Sequence, residues 1–196
     1  MNKRILASAL ASVFLAPAAF AGGLGVSAGI ATTNIHAGSA SSVSVPEAVL
    51  GVSDQLGSVL VGGNFAQGHG QGVHVHQFSG FADLPVSVGR VVAVPYAELG
   101  YDRIGAFAVD HTAVGVMAQT NTAPVQVFGG MKVVRTFGVQ GLAGAENGTY
   151  AGADLGLGFT AGPGAVQVAD DFTRLPTSAS ANTDVGRFSV GYRVAF

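Results

Sequence analysis

No cysteine occurs anywhere in the 196-residue chain, which excludes structural disulfides and the acylated cysteine of a lipoprotein. Charge is scarce too. Asp, Glu, Lys and Arg make up 10 % of the residues, against about 25 % in typical soluble proteins, so water is a poor solvent for the surface such a chain would present. Beyond an N-terminal leader, no stretch approaches the ~18 uninterrupted apolar residues that suggest a membrane helix. A mature chain that enters a bilayer must therefore do so as a closed sheet, because every backbone N–H and C=O in hydrocarbon needs an internal partner.

What is present begins with an address. Lys3 and Arg4 give a positive start, Ile5 to Leu15 an apolar core and Ala19-Phe20-Ala21 a small-residue cleavage site, the pattern of a secretory signal peptide over 1–21. Export through the general secretory pathway would leave a mature domain of 22–196. Removing the leader leaves seven basic against eleven acidic residues, a net charge of −4 with histidines neutral. That balance argues against a nucleic-acid partner.

The mature chain alternates. In the last ten residues Phe188, Val190, Tyr192, Val194 and Phe196 fall on one side of a strand, and Arg187, Ser189, Gly191, Arg193 and Ala195 on the other. Similar runs, separated by Gly, Pro, Asn and Asp turn signals, predict strands near 24–35, 43–53, 58–66, 73–82, 91–101, 111–119, 125–135, 149–160 and 165–174 before the final one. Gly68 to Gly72 and Gly138 to Gly148 read as loops, and Asp102 to Asp110 is loop-like at its start and ambiguous at its end. The hairpin count is ten, and small barrels of this length also occur with eight. The expected fold is all-β: a single antiparallel up-and-down transmembrane β-barrel of 8–10 strands with lipid outside and a polar lumen.

A soluble barrel would show the same alternation turned inside out. Charges decide the direction: most non-apolar strand positions are Gly, Ala or Ser, and the few ionised ones share the polar faces. Glu98, Lys132, Asp154, Arg187 and Arg193 then form a lumen charge network, in a space just wide enough to be filled by side chains. Paired there, they hold strands in register. The same groups could instead line an ion path, since the many inward glycines leave room for water.

The chain resembles small bacterial outer-membrane β-barrel proteins of the OmpA/OmpX-like type, and more weakly the YfaZ group, over Gly22 to Phe196. The terminal Tyr192-Arg193-Val194-Ala195-Phe196 carries the likeness most specifically. The resemblance implies insertion by the barrel-assembly machinery, with Val190, Tyr192, Val194 and Phe196 as the signal it reads, and outer-membrane lipids as surroundings. Family members place Trp and Tyr girdles at both interfaces; here there is no tryptophan, with 12 Phe against 4 Tyr. Loops are short, which argues against an attachment role.

Five histidines, His36, His69, His74, His76 and His111, map near one end of the barrel. His74-Val75-His76 puts two rings on one strand face, and imidazole is the commonest transition-metal ligand, so His74, His76, His36 and His111 are metal candidates, with Asp102 or Asp110 as added oxygens. A polar rim explains the same residues without a metal. Catalysis has weak candidates: Ser79 and His76 have opposite strand parity, and Asp170-Asp171 reads as a solvated strand end. The expectation is a non-enzymatic outer-membrane barrel with a structural or envelope-maintenance role, without cofactor and as a monomer. A narrow channel for ions or small polar solutes, and a soluble periplasmic or secreted β protein, are the alternatives.

Overall fold

A computed structural model describes residues 23–37, 42–120, 124–141, 147–176 and 182–196. The expected leader at 1–21 and the centre of the turn at Asn121 to Pro124 lie outside the described residues. The strands are β1 (Gly25–Ala37), β2 (Val43–Leu56), β3 (Val59–Gly70), β4 (Val73–Asp83), β5 (Val86–Val88), β6 (Val91–Ile104), β7 (Phe107–Thr120), β8 (Val125–Gln140), β9 (Thr149–Ala161), β10 (Gly164–Pro176) and β11 (Asn182–Ala195). All pairings are antiparallel; β1 pairs with β11 and β4 with β6, which closes the sheet. Short β5 prolongs β4 along the same partner: Asp83 faces Tyr96 and Val86 faces Ala93 without a register slip. Pro85 interrupts the pair because it has no N–H to give. The barrel thus has ten staves, as the hairpin count has it.

The register is staggered. Followed strand to strand from Gly25, the pairing returns to β1 near Ala37, so the strands tilt against the barrel axis as closure requires. Both described chain ends lie at the end of the barrel that carries the turns at 57–58, 89–90 and 162–163.

Lipid-out orientation follows from exposure. Ile30 (67 % exposed), Met131 (71 %) and Leu155 (64 %) lie on the outer face with Phe78, Leu99 and Val114, whereas Lys132, Glu98, Arg187 and Arg193 are buried inside. In water such an outer face would be a large apolar patch; in a bilayer it is the matched surface. The soluble-barrel alternative is thereby overturned.

Four local expectations differ, one of them at Gly138 to Gln140, which belong to β8 rather than to a loop. Asp102 to Asp110 is a hairpin, with β6 running on to Ile104 and β7 starting at Phe107. Asp102 looked like a loop residue because Asp and the nearby Gly105 are turn signals, although it shares the inward parity of Glu98. Gly68 to Gly70 belongs to β3, and the turn is just Gln71-Gly72. Gly68 is inward, where a Cβ would meet Glu47 Cγ at 2.7 Å.

The Asp170-Asp171 pair is not a strand end but the middle of β10, one residue facing each way. Asp171 is buried, while Asp170 is exposed between its neighbours Leu155 and Phe188. A carboxylate on the lipid face is unfavourable at that depth, though less so than a basic group. Asp170→Leu is therefore expected to stabilise the barrel by roughly 1–2 kcal/mol in urea unfolding from lipid vesicles. A loss of stability instead would mean that Asp170 has a polar partner.

Candidate functional site

The inward face is layered. At the loop end Ile35, Val43, Val45, Val75, Ile104 and Val185 pack into an apolar plug. Val45 on β2 and Val75 on β4 meet over the glycines of the intervening β3, and β-branched side chains fill a pleated surface well. Nearer the chain ends, Val92, Val94, Tyr96, Met117, Phe128 and Ala169 form a second cluster. The ionised groups lie between and beside these clusters.

Lys132 is the hub of the largest group. Its Nζ is 3.2 Å from Asp154 Oδ1 and pairs closely with Asp171 Oδ2, and Tyr96 donates its hydroxyl to the other oxygen of Asp154 at 3.1 Å. β8 supplies the lysine, β9 and β10 the two carboxylates, so one side chain ties three consecutive strands. Arg187 on β11 donates to Glu47 Oε2 on β2 at 3.0 Å, spanning β1 at the seam where the sheet closes. Arg193 makes a second bridge across the same seam, donating to Ser53 Oγ at 2.7 Å. The third group surrounds His111: Nε2 lies 3.2 Å from Glu98 Oε1 and Nδ1 3.2 Å from Asp102 Oδ2.

The five residues read from sequence as a network are therefore all inside, but in separate groups. Lys132 and Asp154 meet each other, Arg187 and Arg193 bridge the seam, and Glu98 pairs with His111. Sequence reasoning missed Glu47, Asp171, Asp102, Tyr96 and Ser53 as partners. Parity marks each as sharing an inward row, but the pairing across β1 needs the closed register.

Glycine was misjudged. Several inward glycines do not leave a water space; they are recesses for large neighbours. A Cβ at Gly62 would lie 2.5 Å from the Phe81 ring, one at Gly115 2.7 Å from the Tyr96 ring, and one at Gly152 2.8 Å from Lys132 Cε. Gly100 lies beneath the His111 ring in the same way. Large side chains interlock with absent ones, as close packing requires.

The remaining candidates separate by side. His111 is fully buried in the lumen, whereas His36, His69 and His74 are exposed on the outer face, with half-buried His76 beside them. The set His74, His76, His36 and His111 is thus not brought together, because one member points through the wall from the others. Ser79 is inward and His76 outward. Asp102 points into the lumen and Asp110 away from it. Val190, Tyr192 and Val194 share the outer side of β11, and Phe196, just past its end, donates its N–H to Leu24 O at 2.9 Å beside the seam.

No family model matches the chain, and no curated protein does. Among solved structures, the β-domain of the Bordetella autotransporter BrkA is similar with a TM-score of 0.54 at 12 % identity, over 89 % of this chain and 100 % of that one. An outer-membrane channel from Pseudomonas putida F1 gives a TM-score of 0.54 at 8 % identity, over 89 % and 95 %. Neisserial surface protein A gives 0.45 at 11 %, over 88 % and 97 %. At such identities the likeness concerns the fold. With the apolar outer face, it makes this chain a small β-barrel of the bacterial outer membrane.

Proposed function

We propose that the barrel is a structural, envelope-maintaining element of the outer membrane that neither turns over a substrate nor holds an open pore. The observation that carries this reading is the filled interior. Val45, Val75 and Val185 at the loop end, and Arg187 and His111 below them, are each at most 2 % exposed, so their surfaces contact other side chains rather than a water column. Charges engaged with one another at 3.0–3.2 Å serve strand register in preference to ion transit. The catalytic candidates read from sequence are not assembled into one site: both nitrogens of His111 face carboxylates, and His76 is on the far side of the wall from Ser79. On this reading the chain works as a monomer among outer-membrane lipids, having presented the outer row of β11 to the assembly machinery.

Planar-bilayer recording tests the proposal. The wild-type barrel is expected to be electrically silent, and a Val45→Gly/Val75→Gly/Val185→Gly variant, checked for folding by heat-modifiable migration, to conduct. Discrete wild-type steps that change with Glu98 or Lys132 substitution would replace this reading with the narrow channel.

A further inference from the structure

His69 and His74 are directly opposite each other on β3 and β4, one residue back from a two-residue turn. Gln71 (φ 51°) and Gly72 (φ 77°) are both left-handed, which defines a type I′ hairpin turn whose twist fixes the register of its strands. The pair that closes such a turn, Gly70 and Val73, exchanges hydrogen bonds, and the next pair does not. The backbone agrees: His74 O accepts instead from Gly105 N on the other neighbour at 2.8 Å. Non-hydrogen-bonded pairs bring side chains closest, and here the imidazole centroids are 4.2 Å apart with the planes tilted by 40°.

We infer that His69 and His74 form a two-histidine site for a divalent transition-metal ion on the outer face of the barrel, near its loop end. An ion about 2 Å from one nitrogen of each ring would lie about 3 Å from each centroid. Centroids 4.2 Å apart are close enough for one ion to bind a nitrogen of each ring. Two imidazoles side by side suit the adjacent positions of a tetragonal Cu(II) or Ni(II) site. Both rings line an open groove of about 540 Å³ with Leu50, Phe65 and Gln67, so the remaining positions are open to water or a small ligand. Affinity for imidazole nitrogen peaks at copper along the first-row series, which makes Cu²⁺ the ion of choice. Because the hairpin holds both ligands in place before the ion arrives, little ordering is left to oppose binding.

The site differs from the one the sequence suggested. His69 enters as the cross-strand partner, and His76, His36 and His111 drop out.

The test is isothermal titration of CuCl₂ into tag-free mature barrel in detergent, with electron paramagnetic resonance of the bound ion. Expected are one saturable site with nitrogen couplings from two imidazoles, a loss of affinity of about tenfold or more in His69→Ala and in His74→Ala, and little further loss in the double variant, since either histidine alone no longer chelates. His36→Ala, two strands away on the same face, should bind as wild type. Heat-modifiable migration confirms that each variant is folded. Absence of saturable binding to the wild type, or affinity unchanged in folded His69→Ala and His74→Ala, would overturn the inference. Neither outcome bears on the bilayer recording, so this site and the structural role fail separately.

Discussion

Lys132→Met is expected to cost the barrel about 3–5 kcal/mol, the usual penalty when one partner of a buried ion pair is removed and the other is left behind. Lys132 is the common partner of Asp154 and Asp171, and its own side chain and that of Asp171 are almost fully buried. Without the ammonium two carboxylates face each other in a packed interior, and only the Tyr96 hydroxyl still reaches Asp154. Equilibrium unfolding by urea from lipid vesicles reads the loss directly. The double variant Lys132→Met/Asp171→Leu should recover a large part of it, because exchanging a whole buried pair for apolar groups is often close to neutral. If Lys132→Met alone costs less than 1 kcal/mol, the three-strand tie contributes little, and the register argument for the charged layer fails with it.

That tie was half legible beforehand. Lys132 and Asp154 fall on the polar side of their own strands, so two-residue periodicity alone sends them inward. Asp171 was misread because a neighbouring acid, Asp170, sits on the other face, and two adjacent carboxylates look like a solvated end. The seam bridge from Arg187 to Glu47 was out of reach for another reason. Its partners are 140 residues apart, and they meet only because β1 and β11 close the sheet.

Other features escaped because sequence does not distinguish kinds of emptiness or kinds of valine. Gly62, Gly100, Gly115 and Gly152 read as open lumen, yet each accommodates the side chain of a neighbour, which becomes visible only when register names that neighbour. Val45 and Val75 look like any lipid-facing valine, and only the parity of their strands, anchored by Glu47 and Gln77 two residues on, turns them inward to form the plug. The outer histidines show the same rule. His74 and His76 were paired by spacing, whereas the closer pair in space is His69 with His74, set by a turn of two residues where a five-residue loop was expected.

The outer face supplies the remaining large effect. Ile30 lies near the middle of β1, paired with Ala48 and Val190, and is 67 % exposed. Ile30→Arg should lower stability in vesicles by about 2–4 kcal/mol, the cost of a basic side chain on the lipid face at the bilayer midplane. Leu56 is nearly as exposed, at 59 %, but ends β2 beside the turn at the chain-end side of the barrel. Leu56→Arg should cost no more than about 1 kcal/mol, because the guanidinium reaches the interface. The contrast separates depth from substitution as such: both changes remove a branched aliphatic group from an exposed strand position, so a water-facing sheet would tolerate them alike. Equal losses at the two sites in urea titrations would contradict a bilayer spanning β1. A gap of about 2 kcal/mol or more would locate Ile30 in hydrocarbon and Leu56 at its edge.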